Sequence, residues 1–179
     1  MKQIFYHVVT ERPMKLHQII KFDNKHHSGV YERVYKYKNI VEDIYKNPQQ
    51  YSDDNLDHHT KVALRELALE EVRQKYYPNY PSRLSCLYVS ETEEEAVNWY
   101  NYFNSLGRKV FQIVKVNVDG NIFKGDACNC FDGTTNKEEN IAKAKIYWLG
   151  KNNQEGETPV HEIIVSGNIE VIEIITQKY

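Results

Sequence analysis

The 179-residue chain predicts an α+β fold built on a mostly antiparallel sheet. Three observations carry this reading. Strand-like and helix-like segments come in runs instead of alternating one for one, the order expected of segregated layers. No G-x-G-x-x-G follows a strand and no Walker A loop occurs, so neither a doubly wound dinucleotide fold nor a P-loop is indicated. The last apolar runs are short, β-rich and separated only by Ser166-Gly167-Asn168, a turn signal between strands. No repeat, low-complexity tract or linker interrupts the chain, which therefore reads as one domain over residues 1–179.

The elements follow in order. Gln3–Val9 (QIFYHVV) is a nearly continuous β-rich apolar run, the pattern of a central strand. Residues 16–22 form a second short strand or an irregular helix, and residues 24–29 end in Ser28-Gly29 as a loop. Val34, Tyr37, Val41, Ile44 and Tyr45 recur at helical spacing before Pro48 and predict one amphipathic helix over residues 32–46. A second helix covers residues 56–76, with Asp53, Asp54 and Asn55 as candidate caps and Leu56, Ala63, Leu67 and Val72 on its apolar stripe. Pro78 and Pro81 stop it. Together these make a helical insert spanning roughly residues 32–81.

Residues 84–90 predict a strand. Thr92 with Glu95 is a capping box that opens a helix carrying Ala96, Trp99, Tyr100 and Phe103 and ending at Gly107. Residues 110–118 alternate as a strand, and Asp119-Gly120-Asn121 predicts a hairpin to Ile122-Phe123. Residues 136–148 predict a helix, and residues 160–165 and 169–175 two strands.

Composition excludes several function classes. There are 23 Lys+Arg against 25 Asp+Glu, a net charge of −2, which argues against a general nucleic-acid coat. No run approaches the roughly 18 apolar residues of a membrane span. The N-terminus, MKQIFYHVVTERP, lacks the long apolar region and small-residue cleavage site of a secretory signal. Cys86, Cys128 and Cys130 are an odd set without a disulfide framework, which fits a reduced, cytoplasmic setting. The 14 tyrosines favour half-wet clefts, since tyrosine joins apolar area to a polar tip.

For chemistry, the metal patterns fail. Cys128-x-Cys130 has no second pair, and His26-His27 and His58-His59 are adjacent pairs whose members point about 100° apart on a helix. No metal is expected. Cys86 lies in the apolar stretch SCLYV, the setting of a buried inert thiol. His7 sits mid-strand, Tyr88 and Ser90 are two apart and share one sheet face, and Glu162 opens an apolar strand. Each alone has an ordinary structural reading: a hydrogen-bonded core histidine, a strand end, an edge charge. Together they are a His, a Tyr or Ser, and a Glu on three different strands in that chain order.

These segments resemble the three motifs of the ADP-ribosyltransferase superfamily. FYHVVT resembles the first, with a His on the first core strand; LYVSETEEEAVNWY the second, with a Tyr or Ser ending a strand before a helix; HEIIVSGNIEVIEII the third, with a Glu at the start of a strand. The order is that of the His–Tyr–Glu branch, which includes poly(ADP-ribose) polymerase catalytic domains and has relatives among RNA 2′-phosphotransferases. Within it the chain is most similar to a small bacterial branch.

The resemblance implies a split, mostly antiparallel sheet and NAD as substrate, cleaved at its glycosidic bond with release of nicotinamide to an acceptor the sequence does not name. It implies that His7 donates to a ribose hydroxyl and helps hold the nicotinamide end. It implies that Tyr88 stacks on the nicotinamide ring, with Ser90 as the competing residue through a carboxamide hydrogen bond. Glu162 would then accept from the ribose 2′-hydroxyl and stabilise the charge of an oxocarbenium-like transition state, a task suited to a fixed carboxylate.

Two departures matter. Val160 stands where arginine-modifying members carry an acid or amide, which argues against arginine-specific modification. His161 precedes Glu162 and is expected on the opposite strand face. Two alternatives stay open: an inactive nucleotide-binding or interaction module of the same fold, and an RNA 2′-phosphotransferase-like enzyme. The second needs cations for a phosphate, and Arg83 and Lys25 with His26 and His27 are the candidates; the net charge gives nucleic-acid binding no general support.

Overall fold

A computed structural model describes residues 2–175. Its elements are β1 (Gln3–Val9), β2 (Ile19–Phe22), α1 (Gly29–Tyr35), α2 (Lys38–Lys46), α3 (His58–Tyr76), β3 (Leu87–Val89), α4 (Glu93–Ser105), β4 (Gln112–Asp119), β5 (Ile122–Asp126), α5 (Lys137–Trp148), β6 (His161–Val165) and β7 (Gly167–Ile175). The class is α+β. The strands form two sheets, β1-β4-β7-β2 and β3-β6-β5, and every strand pairing among the described residues is antiparallel. A single isolated bridge joins the sheets, where Tyr6 and Ser90 exchange both backbone hydrogen bonds at 2.9 and 2.8 Å.

Alternation along the strands creates three apolar layers. Phe5, Val9, Val116 and Val171 of the larger sheet share one core with Leu87, Val89, Ile163 and Val165 of the smaller. The other face of the smaller sheet, Phe123 and Ile164, packs on Leu69 and Val72 of α3 and Ala144 and Trp148 of α5. Trp148 donates its indole N–H to the Leu69 carbonyl at 2.8 Å, which satisfies the one polar atom of a fully buried side chain. Ala96 of α4 covers Val8 and Ile113 on the outer face of the larger sheet, and α1 and α2 lean on α3 through Val34, Val41, Ile44, Ala63 and Leu64.

Several elements differ from the sequence expectation, each for a local reason. β1 is an edge strand of its sheet, not a central one; its apolar run reflects burial on both faces, against the smaller sheet through Phe5 and Val9 and under α4 through Val8. The helix over residues 32–46 is two helices, because Lys36 and Tyr37 close a tight turn through bonds to Glu32 O and Val34 O, both 3.0 Å. The apolar positions Val34, Val41 and Ile44 still reach the same core. The cap of α3 is Asp57, which accepts from the Thr60 N–H at 2.8 Å; Asp53–Asn55 is instead a 3₁₀ turn, and Asp53 accepts from the Thr135 N–H at 2.8 Å. The capping box at Thr92 and Glu95 is present. Only Leu87–Val89 of the 84–90 run is strand.

The expected hairpin at Asp119-Gly120-Asn121 is absent, since β4 and β5 belong to different sheets. The turn is a corner at which the chain changes sheet, and Ser166-Gly167 makes a matching corner between β6 and β7. The two corners lie against each other, with Ser166 N–H donating to Asn121 O at 3.0 Å. A Cβ on Gly120 would lie 1.8 Å from Ser166 O, and one on Gly167 would lie 2.5 Å from Asp119 O, with Gly167 at φ +96°. Only glycine lets two backbones approach this closely.

A buried carboxylate fixes the long segment before β6. Asp126 is 1% exposed and accepts from the N–H groups of Cys128, Asn153 and Val160 and from the Asn153 side chain, at 2.8–3.0 Å. Burial would raise its pKa, but these four donors outweigh it and hold the carboxyl well below the usual range.

Two predictions follow from the corners and from this anchor. Gly120→Ala and Gly167→Ala should each lower stability by about 3 kcal/mol, read as urea midpoints; a change under about 0.5 kcal/mol would remove the close-approach argument. Asp126 has a depressed native pKa, so its contribution is full above its unfolded value near 3.8 and fades as pH falls below it. Asp126→Asn should therefore be less stable than wild type at pH 7, by about 2 kcal/mol, with the gap closing below about pH 4; a gap that does not change with pH would refute the charge-assisted role.

Candidate functional site

The single bridge between the sheets creates a notch. β1 and β3 touch at Tyr6 and Ser90 and diverge beyond that point. Because Tyr6 spends its N–H and C=O on Ser90, its register partner Lys115 is a non-hydrogen-bonded pair of the β1–β4 ladder. Alternation repeats this two residues on. The N–H and C=O of Val8 therefore also point away from β4, toward the open side of the notch.

A cleft of about 1310 Å³ opens here. Its lining includes His7 from β1, Tyr88 and Ser90 from β3 and its end, and Glu162 from β6, so the four residues singled out in the sequence line one space. Register explains why. Tyr88 pairs with Ile164 and Val89 with Ile163; one more step sets Ser90 opposite Glu162, and period-2 alternation puts Tyr88, Ser90 and Glu162 on one face. Alternation turns His161 to the other face of β6, yet it is exposed and still lines the cleft, with its Nδ1 3.3 Å from Glu95 of α4.

His7 is defined by its partner. Its Nδ1 lies 2.7 Å from the Tyr88 carbonyl. Burial lowers its pKa to about 4, and the bond to Tyr88 only partly opposes this. The ring is therefore neutral near pH 7. A carbonyl can only accept, so Nδ1 carries the hydrogen and Nε2 is left with a lone pair. At Nε2 the neutral ring is an acceptor, whereas the resemblance implies a donor.

Glu162 is held from below by Arg83. Arg83 is 6% exposed. Its Nε and Nη2 reach the two Glu66 oxygens at 3.0 and 3.2 Å, while Nη1 reaches Glu162 Oε1 at 2.5 Å and the Tyr147 hydroxyl oxygen at 2.7 Å. The Tyr147 hydroxyl donates to the same Glu162 oxygen at 2.5 Å. Glu162 Oε2 has no hydrogen bond among the described residues. Burial would raise the Glu66 carboxyl, but Arg83 and Arg65 hold it below the usual range. The Arg83 guanidinium also lies 5.6 Å from the centre of the Tyr88 ring, a cation–π contact that occupies one ring face.

The other residues singled out in the sequence are placed as follows. Arg83 is committed to carboxylates and is not free for a phosphate. His26 is tied to Asp23 at 2.7 Å, and His27 to Ser85 at 2.6 Å while stacking on Tyr31; both line the cleft, and Lys25 is absent from its lining. Cys86 is buried, which pushes its thiol up. Among the described residues no group of three or more His, Cys, Asp or Glu side chains could hold a metal. The insert forms one wall of the cleft through Arg33, His58, His59, Arg65 and Glu66.

Sequence reading missed Glu66, Tyr147 and the backbone of Val8. Glu66 did carry a signal: an acid three residues after Ala63 and one before Leu67, on the apolar side of its helix. The Val8 groups carry none, since backbone atoms acquire a role only through topology.

The neutral state of His7 is testable. In a ¹⁵N titration the His7 ring should stay neutral to about pH 5, with Nδ1 protonated. Its native pKa is lower than its unfolded 6.5, so its contribution to stability is full above that value and is lost as pH falls toward 4. An ordinary midpoint near 6.5 would overturn the assignment.

No curated protein matches the chain. The model of the family described as "Protein of unknown function (DUF2441)" matches residues 5–177, nearly the whole length, and the chain belongs to that family.

Proposed function

We propose that the protein is an ADP-ribosyltransferase-like enzyme that cleaves the nicotinamide–ribose bond of NAD and passes the ADP-ribosyl group to an acceptor. The observation that carries this reading is the meeting of His7, Tyr88, Ser90 and Glu162, from three strands, in the notch where the two sheets part. The split antiparallel arrangement is consistent with the resemblance of the three sequence motifs.

The parts suit the chemistry. The Val8 N–H and C=O are a donor and an acceptor side by side, the complement of a carboxamide. Tyr88 lines the cleft with Arg83 on one ring face, so the other face can support a flat ring. Ser90 sits opposite Glu162 and can hydrogen-bond the same end of the ligand. His7 Nε2 accepts from a ribose hydroxyl, as does the free Oε2 of Glu162. As the glycosidic bond breaks, its electron pair leaves with nicotinamide and positive charge spreads over the anomeric carbon and ring oxygen. A carboxylate fixed beside that carbon meets charge that exists chiefly in the transition state. The acceptor then bonds to that carbon and loses its proton. With Arg65 and Arg83 paired to Glu66 and Glu162, the cleft lining still carries Arg12, Lys21, Arg33 and Arg108 against Glu11, in a chain of net charge −2, a local excess that favours a diphosphate.

One observation favours a second reading, a module of the same fold that binds without turnover. Half of the Glu162 carboxylate is already engaged by Arg83, which weakens it as a charge stabiliser.

Purified protein incubated with NAD should release nicotinamide. Glu162→Gln should cut the rate by about 100-fold or more while NAD still binds. Full activity in that variant would defeat the assignment, and binding without release in the wild type would support the second reading.

A further inference from the structure

Arg83 faces two carboxylates and gives them unequal shares. Its fork, Nε and Nη2, is spent on Glu66. Only Nη1 reaches Glu162, and that nitrogen also contacts the Tyr147 hydroxyl. A bidentate guanidinium–carboxylate pair is stronger and more directional than a single contact. The structure therefore assigns Glu66, on the insert helix α3, the role of a positioning residue that draws Arg83 off Glu162. We infer that this division leaves the site acid pinned by one oxygen and open at Oε2 toward the cleft. This deepens the proposed function and rests on it for its catalytic consequence.

The surroundings agree. β5 faces Glu162 with Gly125, while titratable or charged groups surround it from several other elements. These are Glu66 and Arg65 from α3, Arg83 and Cys86 from the segment before β3, Tyr88 from β3, Tyr147 from α5 and Cys130 from the turn after β5; His161 lies next to Glu162 on β6 with Glu95 beyond it. Arg65 Nε lies 3.0 Å from Glu66 Oε1 and balances the Glu66 charge in turn. Two guanidinium groups thus serve two carboxylates, and the arrangement settles which carboxylate takes the fork. Without the Glu66 charge, no second carboxylate competes for it. Arg83 then turns both of its arms to Glu162, the free oxygen is captured, and the guanidinium neutralises the charge that the carboxylate would offer an oxocarbenium ion. The insert is then part of the active-site machinery, acting from beneath the acid without touching the ligand.

The test reads the carboxyl itself. In the full chain labelled with [¹³C]glutamate, the Glu162 signal is assigned by its loss in Glu162→Gln. In Glu66→Gln its titration midpoint should fall by about one unit, and in Glu66→Asp, which keeps the charge, it should stay near the wild-type value. Nicotinamide release from NAD by Glu66→Gln should show kcat reduced about tenfold with KM little changed. The acid limb of its pH profile should move down with the carboxyl, and Glu66→Asp should restore both. An unchanged Glu162 midpoint in Glu66→Gln overturns the inference, as does a fall in kcat without movement of the acid limb. If wild type releases no nicotinamide, the catalytic reading fails, and the carboxyl titration still decides how Arg83 is shared. If Glu66→Gln does not fold, hydrogen-bond scalar couplings in the wild type decide it. Couplings from Arg83 Nε and Nη2 to the Glu66 carboxyl support the division, and couplings from two guanidinium nitrogens to Glu162 overturn it.

Discussion

A guanidinium taken out of water must find carboxylates, and here it finds two. The Arg83 charge is satisfied by Glu66 and Glu162 together, and much of the molecule is arranged to permit this. α3 delivers Glu66, β6 delivers Glu162 and α5 delivers Tyr147, while the turn before β3 holds Arg83 itself. Such a cluster is weak evidence for net stability, because desolvation offsets most of the Coulombic gain. Its value lies in specification. Breaking any arm strands a charge in a dry place, so the four elements are compelled to meet in one geometry.

The second constraint is the parting of the sheets. A continuous sheet would cover the β1 edge and leave no place for a ligand. Here the two corners at Gly120 and Gly167 carry the chain from one sheet to the other, and among the described residues one isolated strand bridge, Tyr6 to Ser90, links the sheet edges. The notch that results exposes backbone donors and acceptors on one side and side chains from three strands on the other. The site is thus a consequence of topology as much as of residue type.

Much of this was legible in the sequence, and the reasons differ by element. The capping box at Thr92, the helix ending at Trp148 and the strands around His7 and Glu162 are local patterns, and local physics forms them. The one-face relation of Tyr88 and Ser90 follows from the pleat alone. What was illegible is non-local. The edge position of β1, the failed hairpin after Asp119 and the cap at Asp57 all depend on contacts distant in sequence. The residues around Gly120 signal a turn but do not tell a hairpin from a sheet-changing corner, because both use the same residues. The charge of Arg83 is visible in the sequence but its commitment is not, since its partners lie 17 and 79 positions away.

The place of β7 within its sheet has a consequence for biosynthesis. β7 lies between β4 and β2, yet it is the last strand of the described chain to leave the ribosome. Until it arrives, β4 pairs with β1 and presents a bare edge, and β2 has no partner at all. Unpaired edges invite association with other chains, and distant pairings form slowly. The nascent chain therefore passes through a stage in which half of the larger sheet waits for its centre. Glu162, on the strand just before β7, enters its site in the same closing step.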